Sequence, residues 1–452
     1  MPDILTLMSK LNNRKTMPAG QKVKLSQCMI VKNEENNIKK ALEWGKSITF
    51  EQIVVDTGST DRTVEIAKQM GAKIYHFEWI NDFGAAKNYA IEQASGNWIA
   101  FLDADEYLLS EDSIKLINKL DRVESDPDES RKTSALKTQM FHLNDSGDTF
   151  SVGEQIRFFR NIKEIRYVGR IHEQLTIPRE IVFYDGITIM HTGYSNSTYH
   201  ETGKLERNEE LLRAVLAENP DDMKITAYLA DALYSKTRVE DNIDPDDIKE
   251  ADELFHEVLN SDAEIPILLR KKTYKYFMEK IRKDPTGYTQ IDELCCEAIE
   301  KFPDDLDFGY YYACILIKLE EYKKALDILT ELEFMLMDDS GISEGLSGQI
   351  ITEPAAIFGH ALIAAQGLGD IDNVIKYATI LLATDKSQEK ILSPYIATLF
   401  KHGVSEEGVV ELLGSIYDFG TMNDLLFIAR AAKDAGQIEF AGIMMTIAGE
   451  ML

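Results

Sequence analysis

The 452-residue chain is poor in cysteine, with four: Cys295 and Cys296 are adjacent, Cys28 and Cys314 stand apart, and none has the spacing of a zinc site. Reduced thiols in a cytoplasmic protein are the expectation. Long apolar runs are also missing. No stretch reaches the roughly 18 uninterrupted apolar residues of a membrane span, and the first 24 residues hold nothing like the apolar centre of a secretory leader. Basic residues are scarce, since 49 Lys and Arg stand against 77 Asp and Glu for a formal charge of −28. That balance argues against nucleic acid, whose phosphates demand clustered Lys and Arg, and against anionic lipid surfaces. Acid in this excess is first of all a means of staying soluble.

Apolar material is ample. With 44% hydrophobic and 28% charged residues, the chain has the composition of two or three globular domains. After an N-terminal arm over 1–24, short β-branched runs at 25–31, 53–55, 73–77 and 98–102 alternate with helical-period segments at 63–70 and 84–94. Runs apolar on both faces suit parallel strands buried between helices. The expected fold is therefore an α/β domain with its active residues at the carboxyl ends of strands. Gly71 and Gly96 stand where they would close the preceding helices. Residues 121–134 read as a polar loop, and β-type runs follow at 149–160, 165–175 and 181–190. The α/β domain is placed at 25–203.

From 204 to 452 the pattern is helical throughout, broken at Asn219-Pro220, Asp244-Pro245, Asp284-Pro285 and Phe302-Pro303. Residues 307–332 form two amphipathic segments joined at Glu320-Glu321, and the small residues Ala313 and Ala325 mark a close helix approach. This is a degenerate tetratricopeptide-like unit, with weaker echoes at 224–260 and 355–383, so a helical-repeat array is expected. Tyr310, Tyr311, Tyr312 and Tyr322 are assigned to packing.

The chemistry concentrates in the first domain. Asp103-Ala104-Asp105 closes the apolar run of WIAFLDADEYL. Two carboxylates spaced i, i+2 at the end of a buried strand can aim oxygens at one hard divalent cation. Such pairs recur by chance in so acidic a chain, and the strand before this one is what distinguishes it. Asp56 ends the second strand, with Gly58 for a tight turn and Thr60 or Asp61 to cap the next helix. Asn33-Glu34 follows the first strand, and Lys87, in NDFGAAKN, can reach a base or phosphate. His172 and His191 each flank an apolar strand, where a histidine is as readily a core residue as a ligand.

VVDTGSTDRT, NDFGAAKN and FLDADEYL, continued by IRFFRN, GRIHEQL and MHTGYS, together resemble family-2 glycosyltransferases of the GT-A fold. Followed by tetratricopeptide-like helices, the order is similar to bacterial glycosyltransferases that include the sublancin-type peptide S-glycosyltransferases. The resemblance implies a nucleotide-sugar donor with UDP as the nucleotide, and Mn²⁺ or Mg²⁺ as the metal. It sets Asp56 against the uracil, with Asn33 and Glu34 lining the same pocket. Lys87 stands where the family commonly has Arg, keeping the charge without the planar fork. Asp103, with Ala104 beside it, would face the ribose or the metal; Asp105 would ligate the metal, and His191 would join the metal–diphosphate site. Arg157 or Arg160 would touch phosphates or the acceptor. An inverting reaction needs a base to deprotonate the acceptor, supplied by Glu173 or His172. The implied acceptor is a peptide or protein held by the helical repeats, and a homodimer is a further expectation. A cell-surface glycan precursor and a repeat scaffold with an inactive α/β domain are the alternatives. A nucleotidyltransferase would need a glycine-rich loop that CMIVKNEENN lacks.

Overall fold

The computed structural model describes residues 23–192, 204–239, 244–286, 288–337 and 347–451. Nearly all of the N-terminal arm, and the GYS of MHTGYS, lie outside the described residues.

Strand β1 (Leu25–Val31) is buried along almost its whole length because it lies inside the sheet. It pairs in parallel with β2 (Glu51–Asp56) on one side and β4 (Trp98–Phe101) on the other, and β3 (Lys73–His76) extends the parallel half beyond β2. The second half is antiparallel at most junctions. It consists of β5 (Glu106–Leu108), β6 (Thr133–Leu143), β7 (Thr149–Arg160) and β10 (Glu180–His191), and the full order is β3-β2-β1-β4-β7-β6-β10-β5. Chain order reverses between β1 and β4, so the loops leaving those two strands diverge and open a crevice at their carboxyl ends.

Helices α1 (Ile38–Glu43), α2 (Thr63–Gln69) and α3 (Phe83–Glu92) fill the gaps of the parallel half. Their apolar faces divide the core: Ile38, Ala41 and Ala67 pack with Met29 and Val54, while Ala90 and Ile91 pack with Cys28 and Ile53.

Three local expectations are corrected. The polar stretch at 121–134 is helical, the end of α4 (Ser110–Ser125) followed by α5 (Pro127–Lys132). Leu116, Leu120 and Val123 form a stripe packed into the sheet, and Asp126 caps α5, accepting from the Asp128 and Glu129 amides ahead of Pro127 at the first turn. The run at 165–175 is no continuous strand; β8 (Tyr167–Val168) and β9 (Gln174–Leu175) are two-residue arms around a loop in which Gly169 and His172 take φ of +105° and +50°. Gly71, at φ +90°, does end α2 with its amide on the Lys68 carbonyl, but Gly96 has another reason. A Cβ at 96 would lie 2.3 Å from the Lys24 carbonyl oxygen, so this glycine lets the turn before β4 approach the start of β1.

The chain divides into two compact units, Met1–Ile248 and Lys249–Leu452. The first includes α6 (Lys204–Glu218) and α7 (Met223–Val239) together with the sheet, and the division falls inside α8 (Pro245–Leu259). The second is all helical: α9 (Ile267–Lys283), α10 (Ile291–Lys301), α11 (Leu306–Lys318), α12 (Tyr322–Met337), α13 (Pro354–Leu368), α14 (Ile371–Thr384), α15 (Glu389–Lys401), α16 (Glu406–Gly414), α17 (Met422–Asp434) and α18 (Ile438–Gly449). Sequence neighbours pack on one another, α11 on α12, α12 on α13 and α13 on α14, around a single core running from Tyr274 to Ala448. This is the helical-repeat region expected. Ala313 and Ala325 are fully buried. Tyr310 and Tyr312 are core residues, and Tyr311 and Tyr322 pack against it. All four cysteines are free, and among the described residues no helix is long and apolar enough to cross a membrane.

Glu51 opens β2 and has a buried carboxylate that accepts from Ser26 Oγ at 2.7 Å, Ser95 N at 2.7 Å and Lys73 Nζ at 2.6 Å. Burial would raise its pKa, but these donors hold it down to about 2, against an ordinary 4.5. A carboxylate depressed on folding stabilises above its unfolded pKa and loses that contribution as pH falls through the folded one. Glu51→Gln should therefore lower stability by about 2 kcal/mol at neutral pH. In urea melts the gap from wild type should shrink as pH drops from about 4.5 toward 2; a gap independent of pH would contradict this.

Candidate functional site

The carboxyl end of β4 delivers Asp103, Ala104 and Asp105 into a tight turn. The Glu106 amide donates to the Asp103 carbonyl at 3.0 Å, and the Asp103 amide donates to Glu106 Oε2 at 3.0 Å. The turn is also fastened to the far side of the sheet, because Glu106 pairs with His191 across β5 and β10 and the Thr192 amide donates to the Asp105 carbonyl at 3.0 Å.

Two cations converge on these acids. Arg157, from β7, grips Glu106 with both arms, Nε to Oε2 at 2.8 Å and Nη2 to Oε1 at 2.5 Å, and reaches Asp103 Oδ2 at 3.2 Å. Lys87, from α3, sits 2.8 Å from Glu173 Oε1 and 3.5 Å from Asp103 Oδ1. Lys87 is aimed there by how α3 meets the 167–173 loop. Asp82 caps the helix, the Phe83 amide donates to the Arg170 carbonyl at 2.8 Å, and Asn88 exchanges hydrogen bonds with the Tyr167 backbone. Gly84 permits the contact, since a Cβ there would lie 2.5 Å from the Gly169 carbonyl oxygen.

Burial and charge oppose each other throughout this cluster. Burial would raise the Asp103 carboxyl, yet Lys87 and Arg157 hold it well below the usual carboxylate range. Burial likewise works against the Lys87 ammonium, and Asp103 and Glu173 more than compensate, raising its pKa. For Glu106 burial outweighs the pull of Arg157 and the carboxyl is shifted up. Nearby, His191 Nε2 lies 3.5 Å from Asp105 Oδ2, and its Nδ1 is 2.9 Å from Nδ1 of His142, its register partner on β6. Asp105 raises the His191 pKa against the effect of burial, while burial and His191 lower that of His142.

A cavity of about 550 Å³ lies over the β1/β4 divergence. Of the residues expected from sequence, Glu34, Lys87, Asp103, Ala104, Asp105, Arg157, His172, Glu173 and His191 line it. Asn33, in the loop after β1, and Asp56, the last residue of β2, are not among the residues that line it. Asp56 accepts from the Ser59 amide at 3.0 Å and lies 3.3 Å from His76 Nδ1, while Asn33, at φ +57°, accepts from the Thr60 amide at 2.8 Å. Asp61 caps α2 through the Thr63 amide, and Gly58 turns at φ +110°. Arg160 is the departure. Three residues beyond Arg157 on one strand, it faces the other side of the sheet, donating to the Thr133 and Ser130 carbonyls and pairing with Glu124. It fastens the α4–α5 corner and is not part of the cavity wall.

Glu106, His142, Arg207 and Asn208 also line the cavity and escape a reading of motifs. Glu106 had a signal, being the third acid of DADE. His142 had none, because only strand register brings it to His191.

Among the described residues, no group of three or more His, Cys, Asp or Glu converges to hold a metal ion. Both Asp103 oxygens face cations, which leaves Asp105 and His191 as a two-donor set. That suits a hard cation completed by ligand oxygens, as with Mg²⁺ on a phosphate substrate, and not a cage built by protein alone.

Residues 26–126 match the model of glycosyl transferase family 2. A TPR repeat-containing protein of Synechococcus elongatus is 34% identical over 222 residues, covering 47% of this chain and 53% of that protein. The SPbeta prophage-derived glycosyltransferase SunS of Bacillus subtilis is 28% identical over 223 residues, 48% of this chain and 50% of that protein. The chain thus spans about half the length of the curated relatives it matches. Among solved structures, S. aureus TarS residues 1–349 in complex with UDP-GlcNAc aligns at 15% identity over 65% of this chain and 90% of that one, with a TM-score of 0.35. Residues 26–126 thus match a family 2 glycosyl transferase domain, and in this chain a helical region follows the sheet.

Removing Arg157 alone strands a buried carboxylate. Arg157→Met should cost about 3–5 kcal/mol of stability, and the double variant Arg157→Met/Glu106→Gln should recover a large part of that. Thermal melts of wild type, Arg157→Met, Glu106→Gln and the double variant give the coupling, and additive losses would refute a coupled pair.

Proposed function

We propose that this chain transfers a sugar from a UDP-sugar to a peptide or protein acceptor, with inversion at the anomeric carbon. The observation that carries the reading is the pairing of Lys87 with Asp103 and Glu173 and of Arg157 with Asp103 and Glu106, with Asp105 lining the same crevice at the strand-order reversal of a domain that matches family 2. Such a crevice is where open α/β sheets bind nucleotides, and two fixed cations beside acids suit a diphosphate that must be both gripped and released.

The β1 and β2 loops take the nucleotide, with Asp56 at the uracil and Asn33 and Glu34 shaping its pocket. Lys87 and Arg157 meet the diphosphate oxygens, and Asp103 faces the ribose. Asp105 and His191 would hold Mn²⁺ or Mg²⁺, whose chemistry there would be to neutralise charge on the leaving diphosphate. Glu173 accepts the proton of the acceptor hydroxyl or thiol. The acceptor oxygen or sulfur forms its bond to the anomeric carbon as the bond from that carbon to the diphosphate oxygen breaks, and UDP leaves with the electron pair. Glu173 is favoured over His172 because its carboxylate, ion-paired at 2.8 Å with Lys87, faces the reacting region, whereas the His172 ring is stacked on Tyr228 with centroids 3.6 Å apart.

Hydrolysis of a panel of UDP-sugars with and without Mn²⁺ tests the donor. Asp105→Ala should abolish the metal-dependent part while keeping the wild-type circular dichroism; full activity would defeat the metal assignment. Glu173→Gln should lower kcat for transfer by about 10²-fold or more. Calorimetry with UDP and Mn²⁺ separates an enzyme from an inactive scaffold, since the scaffold would show no metal-dependent binding.

A further inference from the structure

Four residues of one cavity wall, Trp79, Phe83, Arg207 and Asn208, have no part in the chemistry above. They come from the 79–83 segment leading into α3 and from the first turns of α6, and they stand beside the loop carrying Glu173. Trp79 and Phe83 meet edge to face with centroids 4.8 Å apart, and the Arg207 guanidinium lies 5.0 Å over the Phe83 ring. Among the described residues the hydrogen bonds of that guanidinium go to its neighbour Asn208 Oδ1, at 3.1 and 3.4 Å, and it makes no ion pair there. In a chain with 77 acids to 49 bases, an arginine at a cavity wall with no carboxylate is unusual and is available to a ligand. The wall is also fixed to the loop bearing the candidate base. His172 stacks on Tyr228 of α7 at an interplanar angle of 6°, Arg170 pairs with Glu218 of α6 at 2.9 Å, and the Phe83 amide is bonded to Arg170.

We propose that Trp79, Phe83, Arg207 and Asn208 form the acceptor subsite, and that its occupant is a peptide segment. This rests on the transferase reading and deepens it. The chemistry of the wall matches a polypeptide. A guanidinium offers several donors to backbone carbonyls, and a primary amide such as Asn208 both donates and accepts, as a peptide group requires. The Trp79–Phe83 pair presents an aromatic face to an apolar side chain. A polyanionic acceptor fits poorly, because this wall carries one cation and the chain as a whole carries −28. The subsite comes from the first helical pair, which shares a compact unit with the sheet. Acceptor choice is thereby built into the same body as the donor crevice.

The test uses the full chain, the UDP-sugar that it hydrolyses, and an array of decapeptides each bearing one central Cys or Ser, with a phosphate-linked glycan polymer as the competing acceptor class. The expected result is transfer to a subset of peptides with an apolar residue near the acceptor. Arg207→Met and Trp79→Ala should each lower the ratio of transfer to hydrolysis at least tenfold, mainly through KM for peptide, and Arg207→Lys should restore part of it. Transfer and hydrolysis falling in parallel in both variants would overturn the subsite. Hydrolysis by the wild type with no transfer to any peptide, or transfer to the polymer alone, would overturn the peptide assignment and leave the transferase reading standing. Absence of hydrolysis by the wild type with every UDP-sugar would bring down that reading and this subsite with it.

Discussion

The arrangement depends on balancing charge where water is largely excluded. Lys87 and Arg157 are held among Asp103, Glu106 and Glu173, and each ion is tolerable only because the others are in place. The cluster draws Lys87 from α3, Asp103 and Glu106 from the β4–β5 turn and the start of β5, Arg157 from β7 and Glu173 from the end of the 167–173 loop, so four separate pieces of chain have to reach one point before any of them is stable there. The same balance bears on the proposed donor site. Both cations remain charged and both face oxygen, so on that proposal an incoming diphosphate would replace carboxylate contacts and meet dipoles already oriented.

The mixed sheet explains how such a cluster can be assembled. Its parallel half opens a crevice by reversing strand order between β1 and β4, and supplies the turn with Asp103 and Asp105. Its antiparallel half runs back across the same edge and delivers Arg157, His142 and His191 from strands distant in sequence. Glycines decide how closely the pieces meet. Gly84 lets α3 rest against the Gly169 carbonyl, and Gly96 lets the turn before β4 rest on the start of β1. Neither shows an unusual φ, and the requirement at both is space.

The helical part of the chain divides in two. Most of it builds its own core, with alanines at the closest approaches and tyrosines filling the gaps between neighbouring helices. The first pair, α6 and α7, belongs with the sheet, and Arg207, Asn208 and Tyr228 bear on the cavity or on the loop that carries Glu173.

Much of this was determined by the amino-acid sequence by itself. Short apolar runs of four to seven residues separated by helical periods define β1 to β4 with their helices, and the acids at the ends of β2 and β4 mark the crevice, because strand ends are where side chains escape the sheet. Proline and capping residues mark the helical breaks for the same local reason. What depends on contacts between distant residues was decided only by tertiary structure. The polar stretch at 121–134 is helical because α4 finds an apolar surface to cover, and 165–175 is bent because Gly169 and His172 turn it toward α3. Arg157 and Arg160 look alike in IRFFRN, yet strand alternation sends one to the cavity and the other to the α4–α5 corner. His142 meets His191 solely through the register of β6 on β10. Local pattern reports which face of an element is buried; only the packed sheet determines what lies across from it.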